Sequence, residues 1–191
     1  DPVPANSTYV PGSAAGGLVY DAGSNSLSAV VELEGASMAI LPGASPYGYV
    51  SLADLNVDPL PCSTQCDEIL INITGLAPYS FNGQVYDGVA MVSNGYAIPG
   101  TGSIADISFL NQLLPDAALP NNVLAPWWTD LDLDGTSGTD PGGGAWYAAT
   151  LDDGIHLYNV LEWKNAELYG DPDSVYSFQI WIRANTDLIW F

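Results

Sequence analysis

The chain has 191 residues, 48% of them hydrophobic and 11% aromatic, enough to build a packed core and to exclude general disorder. It carries 22 acidic side chains against one lysine, Lys164, and one arginine, Arg183, for a net charge of −20. A nucleic-acid partner and an anionic membrane surface are excluded on that balance, because both need several cations on one face. Cations, or high salt that screens self-repulsion, are favoured instead.

In chain order, the first strong pattern is alternation. Leu27, Ala29, Val31 and Leu33 share one face of a predicted strand, and Ile69, Ile71 and Ile73 share a face of another. Between them stand the two cysteines, Cys62 and Cys66. Zinc needs more ligands nearby, so the spacing reads as a small disulfide loop and implies an oxidising compartment. Asn82-Gly83, Asp87-Gly88, Asn94-Gly95 and Asp153-Gly154 read as tight hairpin turns. Ser103 to Leu114 is the best helical stretch, with Ile104, Ile107, Leu110, Leu113 and Leu114 on one stripe and Pro115 as its stop. Farther on, Ile155, Leu157, Leu161 and Trp163 line one face of a long strand. Tyr176, Phe178, Ile180 and Ile182 line another, with Ser177, Gln179 and Arg183 opposite.

These elements predict an all-β chain, an antiparallel β-sandwich of jelly-roll kind with long loops and few short helices. A boundary at Thr74-Gly75 would separate a small N-terminal β unit, 1–74, from a sandwich at 75–191; one continuous sandwich is the alternative. The absence of a hydrophobic leader before Asp1-Pro2-Val3-Pro4 is read as an export signal removed or lying upstream. The apolar end, Leu188 to Phe191, is read as a strand of a domain truncated at its C-terminus.

No catalytic residue is assigned. The sole histidine, His156, has no nucleophile in a recognisable motif, and it reads as a solvent-facing strand residue. Glu162 is the best candidate for a glycosidase carboxylate, but it shares a strand face with Lys164 and reads as half of a surface pair. Calcium is the expected cofactor. Asp130, Asp132 and Asp134 at spacing two, then Gly135 and Asp140, begin as calcium loops of the EF-hand kind do, yet the twelfth position is Pro141 rather than glutamate. The opposing reading is a strand with its aspartates in water. Asp171 and Asp173 are a weaker second site. Trp127, Trp128, Trp146 and Tyr147 are candidates for a ligand platform, or else core.

Ser93-Asn94-Gly95-Tyr96, the run Leu119 to Asp132 (with Asn121-Asn122-Val123-Leu124-Ala125-Pro126-Trp127-Trp128 at its centre), Val160 to Asn165 and Phe178 to Trp181 occur in that order. Together they resemble a β-sandwich domain that follows the catalytic domain in large secreted subtilisin-like serine proteases of bacteria. The Asn121 to Trp128 segment also resembles nidogen-type extracellular domains. The resemblance spans about 75–191 and implies a secreted, non-catalytic accessory module for stability, substrate contact or surface attachment. Its partners would be a parent catalytic domain and a protein or polysaccharide substrate. A fragment of a surface adhesin and a carbohydrate-binding module are the alternatives.

Overall fold

The computed structural model describes 45–62, 66–114, 116–133 and 144–191 (Pro172 by its backbone alone), and the backbone of three strands before them. It divides into two compact units, Asp1–Val50 with Trp190–Phe191, and Ser51–Ile189. In the first unit β1 (Gly17–Asp21), β2 (Ser26–Leu33) and β3 (Ala36–Ala39) form an antiparallel sheet in that order. The alternating run at Leu27 to Leu33 is its central strand.

The larger unit is a sandwich of two antiparallel sheets. One contains β4 (Leu70–Phe81), β5 (Gln84–Val92) and β6 (Tyr96–Pro99) in sequence order. The other is organised on β9 (Leu157–Leu168). One edge of β9 pairs with β10 (Asp171–Arg183), and the other pairs with β8 (Ala145–Asp152) and with the two-residue β7 (Leu131–Asp132). The chain's last strand, β11 (Ile189–Trp190), falls where Leu188 to Phe191 predicts one.

Val89, Met91 and Ala97 of the first sheet share a continuous core with Trp146, Leu161, Trp163, Ile180 and Ile182 of the second. The indole of Trp163 also donates across the sandwich to the carbonyl of Val92 at 2.9 Å. A smaller cluster covers the outer face of the first sheet. There Ala90, Val92, Tyr96 and Ile98 meet Trp128, with Leu70 and Ile107 at the margin. Because β9 is central, both its faces are buried: Val160, Leu161, Glu162 and Trp163 are all inaccessible.

The structure departs from several sequence expectations. Asp87-Gly88 is not a turn but lies within β5. Gly88 is required by contact, since a Cβ there would sit 2.8 Å from the carbonyl oxygen of Ile73. Ser103 to Leu114 contains one 3-10 turn, Ile104–Asp106, closed by a Ser103–Asp106 capping box, and is otherwise irregular. The side chains of Tyr96 and Trp128 take the backbone groups of Ser108 that a helix would have used. Apart from Ile107, which packs on the outer cluster, the stripe is left in solvent, with Ile104 88% and Leu113 90% exposed. Ile155 is 79% exposed in the loop before β9 rather than on its inner face. Opposite Phe178 and Ile180, Gln179 is buried with Trp181, whose indole donates to its Oε1 at 2.9 Å.

Thr74-Gly75, read as a domain boundary, falls inside β4. The ladder runs from Thr74↔Gly88 to Tyr79↔Tyr86, five steps along β4 against two along β5. Gly75, at φ +77°, starts the surplus segment. Such a bulge needs partners for its main chain. Asn159 of β9 supplies them, accepting from Ala77 N–H at 3.1 Å and donating to its carbonyl at 2.7 Å. The carbonyl of Pro78 accepts from Asn185 N–H at 2.6 Å.

Asn159→Ala leaves both main-chain groups of Ala77 without their partners beside the core. The expected cost is about 2–4 kcal/mol, read as a lower denaturant midpoint at unchanged slope. A loss under about 0.5 kcal/mol would mean that water replaces the amide at this bulge.

Candidate functional site

The turn Ser93-Asn94-Gly95 between β5 and β6 is a hub for two distant segments. Ser93 binds Ile69 twice: its N–H donates to the Ile69 carbonyl at 3.0 Å, and its Oγ accepts from Ile69 N–H at 3.2 Å. Asn94 is fully buried. Its Oδ1 accepts from Leu131 N–H at 3.1 Å, its carbonyl accepts from Thr129 N–H at 3.2 Å, and its Nδ2 donates to Glu68 Oε1 at 3.3 Å. Gly95 has φ +77°, and any Cβ there would lie 2.1 Å from the carbonyl oxygen of Trp127. The hub thus fixes the stretch after Cys66 against the stretch that begins at Trp127. Cys62 and Cys66 are bridged, with Cα atoms 5.6 Å apart, and the Cys66 carbonyl accepts from Leu133 N–H at 3.3 Å.

One result of this lacing is a carboxylate trio. Oxygens of Asp67, Glu68 and Asp130 all lie within 4.8 Å of one another. Glu68 is exposed over much of its side chain, yet partial burial raises its pKa. The hydrogen bond from Asn94 opposes that shift, and the charges of Asp67 and Asp130 add to it. Asp130 is also raised, by burial. Three carboxylates can gather on one hard cation, but calcium takes about six to eight oxygens. The nearby Asn94 Oδ1 is already turned to Leu131.

Of the expected metal residues, only Asp130 joins this group. Asp132 lies in β7, paired with Glu167 and 8% exposed, so the segment stays extended past Asp130. Asp134 and Asp140 lie outside the described residues. Asp171 and Asp173 are exposed near the start of β10, away from any acidic grouping among the described residues. Sequence spacing alone does not mark Asp67 and Glu68. Their position beside Cys66, just before an alternating strand, was the available signal.

The aromatic candidates do not share a face. Trp146 is in the core between the sheets and Trp128 in the outer cluster, where it packs on Tyr96 at 4.6 Å between ring centroids. Trp127 is half-buried, edge-on to Tyr176 and Phe178 at 4.3 and 5.7 Å. Tyr147 is buried in β8 opposite Glu162. His156 lies before β9 rather than in it, 3.7 Å from the Asp153 carboxylate. Glu162 and Lys164 are not a surface pair. Glu162 is inaccessible and accepts from Leu52 N–H at 2.9 Å, while Lys164 donates to Ser51 Oγ at 2.8 Å. The two side chains clamp adjacent residues of one segment.

Raised carboxyl pKa values have a definite sign in stability. Between the ordinary values, about 4.5 for Glu68 and 3.8 for Asp130, and the raised folded ones, the folded state binds more protons. Their contribution is complete below the ordinary values and is lost as pH rises through the folded ones. Glu68→Gln is therefore expected to raise the melting midpoint at neutral pH and to flatten its fall across that acidic window. A lower midpoint with an unchanged pH profile would show that the carboxylate is more useful than costly.

A family model described as NIDO related matches 63–191. Neither a curated protein nor a solved structure matches the chain.

Proposed function

We propose that this chain, which belongs to the NIDO-related family over 63–191, is a non-catalytic interaction module of a larger secreted protein. A subtilisin-like protease of the kind its ordered motifs resemble is the parent we favour. One observation supports the non-catalytic reading: the two side chains that the sequence offers for catalysis, Glu162 and His156, are both held by neighbouring groups of the fold. Glu162 is sealed in β9 on the backbone of Leu52, and His156 sits against Asp153 in a turn. General acid–base work needs such groups within reach of a bound substrate. The Cys62–Cys66 bridge supports an oxidising, extracellular setting. Among the described residues no helix is long and apolar enough to cross a membrane.

Calcium enters this reading through the trio Asp67, Glu68 and Asp130. At matched high sodium, calcium is expected to raise the melting midpoint over that in chelator, and less so in Asp130→Asn. Equal midpoints in calcium and chelator would remove the metal from the proposal.

The isolated chain is expected to give no casein or polysaccharide hydrolysis above a buffer control. Turnover that survives repurification and disappears in Glu162→Gln or His156→Ala would overturn the non-catalytic reading.

A further inference from the structure

The two edges of the β4–β5–β6 sheet are finished differently. On the β6 edge, Ala97 and Leu124 exchange both backbone hydrogen bonds at 2.8 Å, so that edge is capped. On the β4 edge the phase of the ladder follows from Ile69, whose main-chain groups bond Ser93 at the end of β5. By the two-residue period of an antiparallel ladder, Ile71 and Ile73 also face β5. The N–H and C=O groups of Leu70, Asn72 and Thr74 therefore point away from the sheet. Among the described residues no main-chain group is bonded to them there.

A cavity of about 560 Å³ lies along this edge. Its floor is five consecutive residues, 68–72, of which Leu70, Ile71 and Asn72 belong to β4; successive residues of a strand line one cavity when the strand is met edge-on. One wall is Pro61 and Trp146, and the indole N–H of Trp146 is buried without an acceptor. The other wall is Ile104 and Ile107. It is pinned to the strand by Asn72, whose side chain accepts from Gly102 N–H at 2.9 Å and donates to the Gly102 carbonyl at 3.1 Å. Natural edges are protected by lysine, proline or an early bulge. Leu70-Ile71-Asn72-Ile73-Thr74 has none of these, and the bulge of β4 begins only afterwards.

We propose that this slot is a strand-addition site for an extended, basic segment of a partner protein. The segment would pair its backbone with Leu70, Asn72 and Thr74, set alternate apolar side chains against Pro61 and Ile104, and place a lysine or arginine at Glu68. Charge selects this occupant. Glu68 closes one end of the floor with Asp67 and Asp130 beside it, and a second copy of a chain with net charge −20 is repelled. Backbone pairing supplies affinity and the walls supply side-chain selection. The inference rests on the interaction-module reading, and its test is separate from the hydrolysis assay.

The probe is a fluorescein-labelled peptide, Lys-Thr-Val-Thr-Val-Thr-Lys, followed by anisotropy. Binding is expected to weaken about tenfold or more when the lysines are replaced by glutamate, and likewise when alternate amides are N-methylated so that they cannot join a ladder. Ile104→Ser, at an exposed wall position that does not threaten the fold, should weaken it as well. Glu68→Gln should narrow the gap between the basic and acidic peptides. Absence of binding, equal binding of the N-methylated peptide, or indifference to Ile104→Ser would overturn the site. So would self-association of the chain through this edge in sedimentation. Hydrolysis of casein would instead overturn the non-catalytic reading and leave the peptide result standing.

Discussion

The amide of Asn159 joins the two sheets of the sandwich by holding both main-chain groups of Ala77, with Thr150 Oγ1 donating to its Oδ1 at 2.8 Å. An ion pair could not easily do this work here. With 22 acidic groups and two lysine or arginine side chains, few carboxylates can be matched by a cation. A buried, unmatched charge is costly, whereas a neutral amide offers a donor and an acceptor at once. The long loops and bulges are consequently pinned by asparagine: Asn159 at the β4 bulge, Asn94 at the β5–β6 turn, and Asn72 on Gly102.

The same scarcity of cations shapes the candidate site. Asn94 draws together the segments after Cys66 and Trp127 because its amide completes backbone bonds on both, and three carboxylates arrive as passengers. Their crowding and partial burial leave Glu68 and Asp130 more easily protonated than usual. The trio is a local acidic focus beside the open edge of β4. A partner that brings its own positive charge relieves this crowding, and the chain itself has little with which to do so.

Edge management ties fold to function. The β6 edge is closed by Leu124, and the long loop that carries this residue also buries Trp128 on the outer face of the sheet. The β4 edge has its second half occupied, with Ser80 N–H donating to the Thr186 carbonyl at 2.8 Å and Ala77 held by Asn159. Its first half is floored and walled but, among the described residues, has no strand beside it. Under the proposed interaction role, such a slot is the place for a partner's chain.

Local chemistry was legible in the sequence. The Asn82-Gly83, Asn94-Gly95 and Asp153-Gly154 turns, the alternating strands around them, the all-β sandwich and the Cys62–Cys66 bridge depend on residues a few positions apart, and the structure has them. What failed or was invisible depends on residues far apart. Ser103 to Leu114 has a helical stripe, yet Tyr96 and Trp128 claim its backbone. Glu162 alternates like a surface residue, yet β9 is central, and a sheet's middle strand is buried on both faces regardless of its pattern. Asp130 was read with its sequence neighbours, but the hub at Asn94 sets it against Asp67 and Glu68. Sequence by itself determined the period, the turns and the charge, because these act over a few residues. Only the tertiary structure decided which face was covered, which edge stayed open and which carboxylates met, because those outcomes depend on segments that folding alone brings together.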